Sequence, residues 1–227
     1  RFGPNSKYSQ VLAPRLVTDL AQHLIPLPKL AEFEGAMQQA VQEGLDGHNP
    51  RSERLQEFAR ETLRQHGKTT IEELPFNFNG LVMLESERLA EEGFDFHFGR
   101  LWDRIAAQDQ LMTWAGTVAP LLALRSASMA LAGTDFAHHR HFATAAEQYR
   151  RDYVRVLNED MMHNSRPGQH DYVVGRELWE KLPAFQYVSP PLTFATRVAQ
   201  PGLIVLVLWN VGAWAALVWV APGLRPD

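Results

Sequence analysis

Cysteine is absent from this chain of 227 residues. Neither a disulfide nor thiolate chemistry is open to it, and a zero count suits either side of a membrane. Charge of one sign is not in excess: 22 Lys and Arg face 26 Asp and Glu, a net charge of −4 with a pI near 6.2. Nothing in that balance implies nucleic acid as a partner. Also missing are a Gly-rich Lys-Ser/Thr phosphate loop, a nucleophile elbow and paired catalytic carboxylates. The chain therefore carries no ATP site of the usual kind and no enzyme signature. Strand alternation is scarce, and no repeat or low-complexity tract appears. The first residue is Arg and no secretory leader opens the sequence, so it reads as a piece of a larger protein. Residues 1–10, RFGPNSKYSQ, read as linker or added sequence outside the fold.

What the sequence does have is an uncharged end. From Leu203 to Ala221 it reads LIVLVLWNVGAWAALVWVA, with Asn210 the one strong polar group. Some twenty helical residues at about 1.5 Å each cross the roughly 30 Å hydrocarbon core of a bilayer. Arg197 and Arg225 flank the run, and Trp209, Trp214 and Trp219 recur along it, of which Trp219 suits an interfacial belt. A buried core helix of a soluble domain is the competing reading, but such helices run shorter and keep a polar edge. The expectation is a transmembrane helix over 201–222 and a short tail over 223–227. A mean hydropathy of −0.25 for the whole chain makes the body over 11–200 water-soluble in character.

That body reads as helices. Leu12, Leu16, Val17, Leu20 and Leu24 form a stripe that stops at Pro26 and Pro28. Pro28 starts a second helix ending near Gly44 or Gly47, and Ser52 caps a third that stops at Gly67. Thr70 and Glu73 have capping-box spacing. Pro75–Gly80 is a packed loop, and a long helix over 81–117 follows with an interruption near Gly93–Gly99. Pro120 opens a helix that closes at Gly133, and Thr134 caps another running to about Met162. A polar loop with Pro167 and Gly168, a short helix over 176–182 and Pro190-Pro191 lead to the apolar end. The expected class is all-α. Within the segment Ala115–Ala132, Arg125 would cost about 2.5–3.5 kcal/mol at mid-bilayer, which disfavours a span. A helix buried in the body or lying on the membrane surface fits better.

One constellation stands out: Gly133, Thr134, Asp135, His138, His139, Arg140, His141 and Phe142, followed by Glu147, Tyr149, Arg150 and Arg151. On a helix, Tyr149 and Tyr153 fall within about 20° of Phe142, and the three mark a buried stripe. Asp135, His138 and His139 share that arc, His141 lies on its flank, and Arg140, Glu147 and Arg151 point away. Burying titratable groups unpartnered costs several kcal/mol, so they must be paired, hydrated or ligated. Three readings stand: a hydrogen-bonded knot, a divalent-metal site using Asp135, His138 and His141, or a partner-contact surface. Glu85, Glu87, Glu91 and Glu92 form an acidic face read as solvated, with cation capture as the sharper option. Met161, Met162 and His163 read as packing, with a soft copper ligand set as the alternative.

The chain resembles a known family. The resemblance is carried by Ile25-Pro26-Leu27-Pro28, Glu73-Leu74-Pro75-Phe76-Asn77-Phe78-Asn79-Gly80 and Pro120–Arg125, and by Ser128–Asp135 with the His138-His139-Arg140-His141-Phe142 run. Ala146-Glu147, Tyr149-Arg150 and Leu157-Asn158 extend it. These look like the C-terminal half of bacterial ABC-2-type permeases with a large extracytoplasmic domain of unknown function, grouped with components for multicopper-enzyme maturation. The resemblance implies several earlier spans and a body outside the bacterial inner membrane, on the periplasmic side, up to about Gln200. It implies a cytoplasmic tail over 223–227 and a separate ABC ATPase subunit that supplies the energy, so the chain itself is no enzyme. A dimeric permease or second permease subunit, the lipid bilayer and a periplasmic protein are the implied partners. It assigns no cofactor to this chain, and a divalent metal stays an option only at the histidine cluster.

Overall fold

The computed structural model describes residues 6–166 and 172–221. Among these there is no strand: helices α1 (Ser6–Leu24), α2 (Leu30–Glu43), α3 (Arg51–Gln65), α4 (Phe78–Ala115), α5 (Pro120–Ala132), α6 (Phe136–Asn164), α7 (Arg176–Lys181) and α8 (Leu192–Val220) follow in order, with a 3₁₀ turn at Ile71–Glu73. The all-α class expected from the sequence is the class observed. The Pro167-Gly168 loop, the 223–227 tail and residues 1–5 lie outside the described residues. Residues 6–10 are the first turns of α1, not a linker.

The chain forms two compact units. The first comprises residues 1–27, 102–143 and 188–227, and therefore α1, the end of α4, α5, the start of α6, and α8. Its centre is a line of small side chains. Ala123, Ala127 and Ala130 of α5 meet Ala195, Ala199 and Gly202 of α8, all of them buried. A Cβ on Gly202 would come within 2.9 Å of the Ala123 carbonyl oxygen. Most large residues of both helices turn outward, Leu122 and Val205 being buried exceptions: Leu121, Leu124 and Leu131 on α5, and Ile204, Val207, Leu208 and most of the apolar end on α8, are exposed. α5 is thus covered on one face only, which departs from the first of its two expected placements, burial within the body.

α8 is longer than expected. The sequence places its start at Pro201, whose ring removes the N–H that the Arg197 carbonyl would accept. The helix nevertheless begins nine residues earlier, at Leu192, and runs through the proline. Phe194, Ala195 and Ala199 are held by tertiary contacts that outweigh one missing bond. The apolar stretch of α8 is long enough to cross a membrane, and only 6% of it is buried in this chain. On α1, Leu16, Leu20 and Leu24 of the apolar stripe are exposed, and Ala21 is buried. Gln108 of α4 ties down the residues that follow, donating to the Ile25 carbonyl at 2.7 Å, as Arg104 does to that of Pro26 at 3.1 Å.

The second unit comprises residues 28–101 and 144–187. Here α4 shows no interruption at Gly93–Gly99. Gly93 is buried where α4 approaches Ala40 of α2, and aromatic contacts continue the packing past it. Phe94 stacks on Phe98 with centroids 4.0 Å apart, and Phe33 meets Phe98 edge-on at 5.0 Å. Thr70 stands at the N-cap of the 3₁₀ turn as expected, although Glu73 pairs with the Thr69 hydroxyl at 3.2 Å. Two other caps fall beside the expected residue. Pro50 stands at the N-cap of α3, with Ser52 inside the helix, and Lys29 at that of α2, its N–H bonded to Glu32 at 3.2 Å. The Pro75–Gly80 loop is packed as expected, but only to Asn77, because Phe78 already starts α4.

Candidate functional site

In the first unit, Gly133 ends α5 at φ 71°, a left-handed turn that suits glycine, and the Thr134 N–H closes back on the Met129 carbonyl at 2.9 Å. The next residue caps α6. Asp135, not Thr134, does this: its Oδ2 accepts the Ala137 N–H at 3.0 Å. Its Oδ1 pairs with Nδ1 of His138 one turn on, and both side chains are largely removed from solvent. The His138 ring stands edge-on to Phe194 of α8 at 5.0 Å, and His141 tilts against the same ring at 6.0 Å. The structure therefore joins Asp135 to His138 and puts His141 on their shared aromatic neighbour. His139 turns to Trp102 at 6.2 Å, and Arg140 reaches Asp103 at 4.0 Å. Phe142, the expected centre of the buried stripe, is 44% exposed. Among the described residues, no three His, Asp or Glu side chains are grouped to hold a metal ion.

The remaining signature residues lie in the second unit. Glu147 accepts from Arg150 and Arg151 at 2.8 Å each. Arg150 also reaches Glu87 at 2.7 Å, and Arg151 reaches Asp95 at 2.6 Å and Glu91 at 3.9 Å. Arg88 bridges Glu85 and Glu92. The acidic face of α4 is thus matched by arginines along its length and is not simply solvated. Burial works to raise the Glu147 carboxyl, but the hydrogen bonds from both arginines win and hold it below the usual 4.5. The Arg151 hydrogen bond likewise holds Asp95 below 3.8.

The second unit also contains an open chamber of about 880 Å³ that the sequence reading missed. Val41, Val82 and Val154 give it apolar walls, while Arg51, Asn158 and Tyr172 supply polar edges. Arg51 donates to the Ser86 hydroxyl at 3.0 Å. Tyr172 donates to Asp160, and that bond, with lesser burial, pushes its hydroxyl up to about 12, so it stays protonated. The chamber has the mixed lining of a small-molecule pocket. A signal existed: Asn79, Val82, Met83, Ser86, Glu87 and Ala90 recur at helical spacing on one face of α4, but half of them are polar, which hides the stripe.

Beside the chamber, Asn77 fastens α4 to the end of α6. It is 2% exposed, and its N–H donates to the Met162 carbonyl at 2.8 Å. Its Nδ2 donates to Ser165 Oγ at 2.6 Å and the Arg166 carbonyl at 3.3 Å, while its Oδ1 caps α4 by accepting the Asn79 N–H at 3.0 Å. Gly80 lets the two backbones touch, since a Cβ there would lie 2.5 Å from Met162 Cα. Met161 lines the chamber and Met162 packs on Gly80, so both are packing residues here.

A family model described as a domain of unknown function (DUF3526) matches residues 34–188, and the chain belongs to that family. No curated protein and no solved structure matches it. α8 begins just past the matched residues.

Proposed function

We propose that this member of the family is the extracytoplasmic helical domain and last membrane span of an ABC-type permease. A separate ATPase subunit supplies the energy, the chain itself carries out no chemistry, and its body lies on the periplasmic side of a bacterial inner membrane. The observation that carries the reading is α8: a long apolar helix, almost wholly uncovered, held to α5 through alanine and glycine. Small residues at such spacing are what bring helices together in lipid, where burying large apolar groups gives no advantage. The resemblance of the Asp135–Phe142 region and the Glu73–Gly80 loop to ABC-2 permeases supplies the transport part. The test is purification of the full-length protein from native membranes in mild detergent. An ATPase subunit recovered in fixed stoichiometry supports the reading. A protein released from membranes by carbonate wash, or one that comes with no ATPase, overturns it.

A second reading rests on the chamber in the second unit: a membrane-anchored module that binds a small molecule or a periplasmic protein there. Its mixed lining, with Arg51 and Glu87 both present beside the valines, favours an amphiphilic ligand with polar groups. Substitution Val82→Trp fills the chamber. Binding lost in that variant, with ATPase association retained, would support this reading over simple structural use of the space.

A further inference from the structure

One face of α8 changes character along its length. Thr193, Thr196, Arg197 and Gln200 give way to Leu203, Ile204, Val207 and Leu208, and together they line an open groove of about 550 Å³. The spacing keeps all eight on a single helical face. From Thr193 to Leu208 is about 22 Å at 1.5 Å per residue. One leaflet of a bilayer, headgroup included, is about 20–22 Å deep, half of the whole. Leu203 to Val220 then spans most of the hydrocarbon core, which places Leu203 at its boundary and Arg197 about 9 Å above it. An arginine side chain there reaches back to phosphate level. Among the described residues, Arg197 has neither a hydrogen bond nor an ion pair from its guanidinium.

We propose that this face binds an anionic glycerophospholipid, with its phosphate at Arg197 beside Thr193 and Gln200 and an acyl chain along Leu203, Ile204, Val207 and Leu208. The assignment rests on the membrane reading above. A second helix is the rival occupant, and two features argue against it. The small residues that permit close helix approach, Ala195, Ala199 and Gly202, are already turned to α5, whereas this face carries branched side chains. A covering helix would also bury Arg197, which no carboxylate among the described residues accompanies. A phosphate matches the cation, and a chain beneath it matches the apolar half.

The test uses the full chain in vesicles of phosphatidylcholine doped with a photoactivatable phosphatidylglycerol or, in parallel, a photoactivatable phosphatidylcholine. Crosslinked peptides are mapped along α8. The expected result is about five-fold more labelling of the 193–208 face by the anionic lipid, as one membrane-proximal arginine supplies. That preference disappears in Arg197→Gln and returns in Arg197→Lys, with melting of each variant unchanged. Equal labelling by both lipids overturns the site while leaving α8 in the membrane. Labelling confined to the other faces shows that protein covers the groove, and also overturns it. No labelling anywhere on α8 removes the membrane reading itself.

Discussion

Replacing Asn77 with alanine tests whether the second unit depends on one buried amide. The side chain supplies three hydrogen bonds in a site where water cannot replace them, since the residue is 2% exposed. Loss of the α4 cap costs about 1 kcal/mol. Loss of the donors to Ser165 and to the Arg166 carbonyl adds about 0.5–1.5 kcal/mol each, toward the upper end where a buried acceptor is left unpaired. Ser165 still donates to Met161, which limits the damage at that end. The sum is about 2–4 kcal/mol. Asn77→Ser keeps a capping oxygen and should recover about 1 kcal/mol of it.

The measurement is melting of the full chain in lipid nanodiscs, with hydrogen exchange mapped by peptide. At about 2–4 °C per kcal/mol for a chain of this size, Asn77→Ala should lower Tm by roughly 5–15 °C. Faster exchange should centre on the Asn79 amide at the start of α4 and on residues near Met162. The Asp135–His138 region, in the other unit, should be protected as before. A shift under about 1 °C, or faster exchange spread evenly over both units, would refute the idea that this amide fastens α4 to α6.

The second unit should also weaken in acid. Glu147 and Asp95 are held below their ordinary values, so the folded state binds fewer protons than the unfolded one and stability falls as pH drops. The contribution is full above the ordinary 4.5 and is lost below it, as pH passes through the lowered folded values; acid melts of wild type and Glu147→Gln should converge, and parallel curves would refute this. In the first unit, Gly202→Val should cost about 1–3 kcal/mol by overpacking against Ala123 and Ala127, whereas Gly212→Ala, with nothing within 4 Å, should be neutral. Denaturant titrations of the two variants check the contrast, and equal costs would sink it. If Asp135 and His138 form a structural knot, His138→Ala should destabilise by about 1–3 kcal/mol. Elemental analysis finding stoichiometric metal that disappears in both His138→Ala and His141→Ala would reverse that assignment.

Helices were legible because period and punctuation agreed: Pro120 and Gly133 bracket α5 as read. Where the reading failed, a tertiary contact had overruled a local signal. Gly93 and Gly99 looked like a break, yet Phe33, Phe94 and Phe98 carry α4 across it. Pro201 looked like a start, yet Phe194 and Ala199 anchor α8 upstream. Caps slipped by one or two residues, Thr134 to Asp135 and Ser52 to Pro50, because composition names the cap type while backbone geometry chooses the position. The Asp135–His138 pair was visible from i,i+3 spacing alone. The chamber and the arginine ladder were not, since each depends on which faces of α4 and α6 meet, and no one-helix pattern contains that.

The distribution of side-chain size in the first unit carries the membrane argument further than the length of α8 does. In water, burial of large apolar groups holds a fold together, at about 1.5–3 kcal/mol for each Leu, Ile or Val side chain covered. Here the covered line is mostly alanine and glycine, joined by Leu122 and Val205, while Leu121, Leu124, Leu131, Ile204, Val207, Leu208 and Leu217 stand exposed. Each is about half exposed, so together those side chains forgo roughly 6–12 kcal/mol, comparable to the whole stability of a typical domain. Selection for folding in water would have turned these faces inward. In a solvent of acyl chains the cost vanishes, and close backbone approach through small residues becomes the gain. α5 shares this pattern with α8, its outward leucines left uncovered in the same way. Arg125 stands exposed at the edge of that face, its charge left in the open beside the uncovered leucines.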